Sequence, residues 1–155
     1  MISHPNNHSL AEAEEIIAKG RSAATERLPE LVAWLANQNS PGFAEIAEYL
    51  TSLGEAVMPH VKSALQEIDQ LGEWHSALLF TQARQWPREW LAAIEDELDN
   101  LAWYGSERWE VDEDAAYLLA KNNLGDHDNL KELIKRKREV CFSRLKRLDE
   151  IEQYL

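Results

Sequence analysis

Cysteine is almost missing from this chain: Cys141 is the only one among 155 residues, so no disulfide can form within it. Cohesion must come from a packed core, and a chain of this length buries enough surface for a single domain spanning 1–155. Glycine and proline are also scarce, at six and five, and nearly all stand between periodic segments. That distribution favours helices joined by short turns. No run approaches the roughly 18 apolar residues that a membrane span needs, so no membrane partner is expected. The opening MISHPNNHSLAEAEE has neither a basic leader nor an apolar core, which points to a cytoplasmic address.

Catalytic signatures are lacking as well. His-Glu-x-x-His, Glu-x-x-His and Cys-x-x-Cys spacings do not occur, and the glycines form no dinucleotide or phosphate loop. His4 and His8 lie four apart, but Pro5 works against the helix that would bring them onto one face. Ser143 and Lys146 match Ser-x-x-Lys without a second nucleophile motif. Asp112, Glu113 and Asp114 lack the glycine and terminal glutamate of a calcium loop. An enzyme is therefore not expected, nor is any metal or cofactor. His60 and His75 adjoin apolar stripes and read as packing residues, and Cys141 reads as a small core residue.

Positive charge is the remaining shortage. Lys and Arg number 16 against 28 Asp and Glu, and the balance is uneven. Residues 1–129 carry 8 basic against 23 acidic side chains, whereas residues 130–155 carry 8 against 5. An acidic body repels phosphate backbones, so nucleic acid is not expected as a partner, and a helical-repeat enzyme acting on it would need a basic groove. The same field speeds encounter with basic proteins. Solubility alone is the plainer use of that charge.

What is present is helical periodicity. Residues 1–8 are polar and expected to fray; Ser9 and Glu12 then form a capping box opening a helix that Gly20 ends. Leu28, Leu31, Val32 and Leu35 share a face of a second helix, whose regular part starts near Pro29. Residues 40–68 read as one helical hairpin: Ser40 caps, Pro41 takes the first helical position, and Phe43, Ile46, Ala47, Leu50 and Leu53 form a stripe closed by Gly54. Val57, Val61, Ala64, Leu65 and Ile68 form its second stripe. Residues 74–84 are apolar around most of the circumference, Phe80 included, which predicts burial on several sides. From Pro87 a further helix presents Trp90, Leu91, Ile94, Leu98, Leu101 and Ala102 inward. Aligning Phe43 with Trp74 and Val61 with Leu91 suggests a weak repeat of 30 to 31 residues, each unit a hairpin that needs neighbours. Periodicity breaks between Trp103 and Asp114, where Asp112 is a candidate cap for a short helix. Residues 126–155 predict a long helix whose stripe (Leu133, Ile134, Val140, Cys141, Leu145, Leu148, Ile151, Leu155) packs on the last hairpin as a cap.

LPELVAWL at 28–35, FAEIAEYLTSLGEAVMPHVKSAL at 43–65, EWHSALLF at 73–80 and EVDEDAAYLL at 110–119 resemble a small, largely uncharacterised bacterial family of short HEAT-like helical-repeat proteins. The resemblance covers roughly residues 27–120. It implies an all-α fold, a right-handed solenoid of helical hairpins over 9–121 closed by the C-terminal helix. It also implies a function, because some proteins of this sort resemble immunity partners of bacterial toxins.

Taken with the acidic body, this predicts a non-enzymatic binding protein that neutralises a basic toxin domain by covering its active-site surface. A general scaffold or adaptor for a cytoplasmic protein is the alternative. The expected contact residues cluster where periodicity fails: Glu95, Asp96, Asp99, Trp103, Tyr104, Glu107, Trp109, Glu110, Asp112 and Asp114. Their carboxylates would steer the partner and their rings would anchor it. Trp34, Trp74 and Trp90 lie on or beside apolar stripes and are expected to pack in the core.

Overall fold

The computed structural model describes residues 9–154, and every regular element among them is helical. The frayed stretch expected at 1–8, including His4 and His8, lies outside the described residues, as does Leu155. Helix α1 (Leu10–Thr25) is capped by Ser9, whose Oγ accepts from the Glu12 N–H at 3.2 Å. It breaks at Gly20, where φ is 81°, so the glycine ends the first straight segment as the sequence predicts. Helix α2 (Leu28–Trp34) carries Pro29 in its first turn, where no helical partner is lost.

Helix α3 (Phe43–Leu53) starts later than expected. Residues 40–42 form a turn, and Gly42 at φ 79° is the N-cap in place of Ser40. A 3-10 turn at Gly54–Val57 leads into α4 (Met58–Leu65), which ends before Ile68, and that side chain is exposed. Gly72, at φ 82°, is the N-cap of α5 (Glu73–Thr81) just as Gly42 is for α3. Both glycines meet close neighbours as well: a Cβ on Gly42 would fall 2.6 Å from Ala13 Cβ, and one on Gly72 would fall 2.2 Å from Ser106 Cβ.

In α5, Trp74, His75, Ala77, Leu78 and Leu79 are buried, but Phe80 points to solvent, so that helix is not covered all round. The helix expected from Pro87 onward divides at Ala93 and Ile94 into α6 (Arg88–Ala92) and α7 (Glu95–Tyr104). Helix α8 (Val111–Lys121) follows a short 3-10 turn at Glu107–Trp109, and α9 (His127–Glu152) is capped by Asp126, whose carboxylate accepts from the Asp128 and Asn129 N–H groups.

These helices form two layers. In one, α1 packs on α3, α3 on α5 and α5 on α8. In the other, α2 packs on α4, and α4 reaches α7 through Lys62 Nζ donating to Ala93 O at 2.7 Å beyond α6 and Gln66 Nε2 donating to Glu97 Oε1 at 2.6 Å. Between the layers lies one core of Leu, Ile, Val and Ala side chains with Trp34 and Trp74, whose indole N–H groups donate to Pro41 O and Val32 O. Trp90, expected in the core, is only half-buried and meets edge to face at 6.0 Å the ring of Trp86, which packs against the core instead. His75 is buried, its Nε2 at 3.2 Å from Ala64 O, and packs near Trp74. Side-chain bonds between elements span 30 or 31 residues in Thr51 to Thr81, Lys62 to Ala93, Gln66 to Glu97, Arg84 to Asp114 and Gly125 to Glu95, and 34 or 35 in Gln38 to Glu73, Gln82 to Ala47, Arg88 to Asn122 and Ser106 to Leu71.

The last helix departs from expectation. Only Leu130 and Leu133 are buried on it; Cys141 is exposed, and so are all described residues from Arg138 onward. The helix docks by its first turns and then projects past the edge of the body, because the body ends before the apolar stripe does. Among the described residues no helix is long and apolar enough to cross a membrane.

Candidate functional site

The sequence EDELDNLAWY sets one face of α7 outward. Its first-turn acids complement the positive helix N-terminus, and Leu98, Leu101 and Ala102 turn into the core. Asp96, Asp99, Asn100, Trp103 and Tyr104 are left to line a shallow cleft of about 450 Å³. Tyr104 is 82% exposed, Trp103 is half-buried, and neither Asp96 nor Asp99 forms an ion pair among the described residues. Glu95, the first residue of α7, turns away from that cleft and accepts from the Gly125 N–H at 2.8 Å, tying α7 to the turn before α9.

Past α7 the chain reverses tightly. The Gly105 N–H donates to Leu101 O at 2.7 Å, and a Cβ on Gly105 would lie 2.9 Å from Val111 Cγ1, so α7 and α8 approach closely there. Ser106 Oγ donates to Leu71 O at 3.0 Å and pins the turn to the start of α5. Glu110 takes the left-handed conformation at φ 54° and serves as N-cap of α8, the place expected for Asp112. A non-glycine residue holds that conformation only where its surroundings impose it; here Val111 next to it is fully buried.

The remaining predicted residues fall into two further groups. Trp109, Glu110 and Asp114 line a second cleft of about 450 Å³ on the α5 side, with Phe43, Phe80, Arg84 and Arg108. Arg84 donates to Asp114 Oδ1 at 3.0 Å and lies over the rings of Phe80 and Tyr117 at 5.2 and 5.9 Å, so Asp114 is already neutralised there. Glu107, Asp112 and the far side of Trp103 line a furrow of about 270 Å³ against α9. Asp112 is 4% exposed and accepts from Lys137 and from the Glu113 N–H. Arg144 lies 3.5 Å from Glu107, and the Arg136 guanidinium stacks over Trp103 at 5.7 Å.

Nine of the ten predicted residues between 95 and 114 thus serve three surfaces, with Trp103 between two of them, and Glu95 serves none. The α7 cleft combines two acids that form no ion pair among the described residues with the open ring of Tyr104, whereas the α5-side cleft sets Glu110 beside the exposed Phe80 together with the cations Arg84 and Arg108. The basic residues of α9 already occupy the Glu107 and Asp112 side, an intramolecular pairing that the charge asymmetry alone could have suggested. Sequence reasoning missed Phe80, Arg84 and Tyr117; the signal for the Arg84 and Asp114 pair was their separation of 30 residues, the suggested repeat length. Among the described residues no group of three or more His, Cys, Asp or Glu is arranged to hold a metal ion.

No curated protein and no solved structure matches this chain. One family does: residues 6–122 match the family described as a domain of unknown function, DUF5071. The match takes in α1, which the sequence resemblance left outside, and stops before α9 begins. Because it spans well over half of the chain, the protein belongs to the uncharacterised DUF5071 family.

Proposed function

We propose that this is a non-enzymatic binding protein that receives a basic protein partner on the outer face of α7, and that it acts as an immunity protein, neutralising a toxin by covering its basic active-site surface. One observation carries the reading: Asp96 and Asp99, without ionic partners among the described residues, flank Trp103 and the 82% exposed ring of Tyr104. Exposed aromatics beside desolvable carboxylates supply anchoring area and electrostatic steering in one patch. The scaffold belongs to the same proposal. A short stack of HEAT-like hairpins is supported by the layer order α1, α3, α5, α8 and by side-chain bonds whose partners lie 30 to 35 residues apart, about one hairpin.

The test is to identify the protein encoded by the neighbouring gene, co-express its basic domain with this protein in growing cells, and measure binding to the purified domain at two salt concentrations. Wild type should restore growth and bind with nanomolar Kd. Asp96→Lys with Asp99→Lys should slow association at least tenfold at low salt and less at high salt. Tyr104→Ala should raise Kd tenfold or more, the weight of a central aromatic anchor of about 1.4 kcal/mol or more. Full growth protection by the triple variant would overturn the assignment of this face. Weak binding to many proteins with no protection from any toxin would favour the adaptor reading.

A further inference from the structure

The apolar stripe of α9 continues beyond the body without cover. Leu145, Leu148 and Ile151 are 55%, 61% and 49% exposed, and they recur at intervals of three, which keeps them on one side of the helix. A helix draws most of its stability from burying such a face, so an isolated one projecting into water is incomplete. Among the described residues the last ion pair between helix and body is the exposed one of Arg144 with Glu107, before the first of these three side chains.

The charges beside that stripe indicate what does. Arg144, Lys146 and Arg147 precede Leu148, and Asp149, Glu150 and Glu152 follow it. Among the described residues Lys146, Arg147, Asp149, Glu150 and Glu152 form no ion pair, although Lys146 and Glu150 stand one helical turn apart. The sequence is therefore antisymmetric in charge about Leu148 and symmetric in apolarity. Two such helices laid antiparallel about a twofold axis at Leu148 bring Leu145 level with Ile151, and they set Arg144 against Glu152, the two charges that lie within about 40° of Leu148 around the helix. A parallel pair sets Arg144 and Glu152 each against its own kind. A second copy of the chain is thus the occupant whose charges match in register, and its contact is isologous.

We propose that the C-terminal part of α9 is a self-association arm, and that two copies of this protein pair through it antiparallel, centred on Leu148. About 11 residues of overlap at 1.5 Å per residue give a contact of roughly 16 Å. That is smaller than a standard protein interface, so the dimer forms reversibly and its population depends on protein concentration. The two bodies lie at opposite ends of the paired arms, which leaves both α7 clefts open.

Sedimentation equilibrium of the full chain from micromolar to millimolar concentration, with circular dichroism to verify that each variant folds, tests this. Wild type should dimerise, and Leu148→Asp should shift the dimer constant at least tenfold toward monomer with an unchanged body melting transition. Two charge variants decide the orientation. One carries Arg144→Glu; the other carries Glu152→Lys. Each alone should be monomeric, and an equimolar mixture should recover dimer. A wild type that stays monomeric up to millimolar concentration overturns the proposal. So does a dimer that survives Leu148→Asp, or a mixture that remains monomeric.

Discussion

In α7, Leu98, Leu101 and Ala102 recur every one to three residues and all are buried; in the last turns of α9, Leu145, Leu148 and Ile151 recur in a similar way and all are half or more exposed. The local physics of the two segments is alike, since both alternate an apolar stripe with charge. Their surroundings differ. Helix α7 lies between α4 and α8, whereas α9 buries no side chain after Leu133 and touches the body beyond it through Arg136, Lys137 and Arg144. An amphipathic stripe therefore says that a helix seeks a neighbour. It does not say whether the same chain provides one.

The widest gap between the two regions should appear on truncating one leucine in each. Leu98 is fully buried, and Leu98→Ala should cost about 2–5 kcal/mol through lost transfer energy and the cavity left behind, read from urea unfolding at low protein concentration. Gly72→Ala comes next. It forces an alanine to φ 82° and drives its Cβ into Ser106, for a cost of about 3 kcal/mol in the same assay. If Gly72→Ala proves neutral, the close packing of α5 against the Ser106 turn is wrong.

The join between body and arm should respond less. Asp112→Ala leaves Lys137 without its partner and removes an acceptor from the Glu113 N–H. Removing one member of a buried pair costs about 3–5 kcal/mol, and because Lys137 keeps some solvent the figure here should be about 2 kcal/mol. Hydrogen exchange at 134–144 should quicken, while exchange in α3 and α5 stays as it was. Uniform loosening throughout would mean that arm and body form one cooperative unit.

Much of the body was legible because its helices announce both ends. Ser9 with Glu12, Gly20, Pro29, Gly54 and Pro87 each act through local geometry, and each acts where the sequence predicts. Boundaries failed where tertiary contact overrides a local preference. Ser40 has a capping side chain, yet Gly42 caps α3 because only glycine reaches φ 79° so close to Ala13. Asp112 likewise yields its capping place to Glu110, since burial of Val111 and the ion pair with Lys137 fix the turn one residue pair earlier. The candidate site was legible as a neighbourhood and not as a surface. Residues 95–114 contain the unpaired acids and open aromatics, but their division among three surfaces depends on where α9 and α5 lie, and no spacing within 95–114 encodes that. The exposure of Phe80 escaped for the same reason.

The smallest effect on stability is expected in the arm, and it separates folding from assembly. Leu148→Ala removes as many carbon atoms as Leu98→Ala, yet it opens no cavity and exposes no new core. Its unfolding free energy at micromolar concentration should stay within about 0.5 kcal/mol of wild type, the range of ordinary surface substitutions. At high concentration the two proteins should diverge, because wild type gains stability by mass action on dimerising and the variant does not. A melting temperature that rises with concentration in wild type and stays flat in Leu148→Ala would place the cover for the stripe in a second chain. If Leu148→Ala instead destabilised the monomer as Leu98→Ala does, at every concentration, the arm would be packed on its own body in solution, and the contrast between the two regions would vanish.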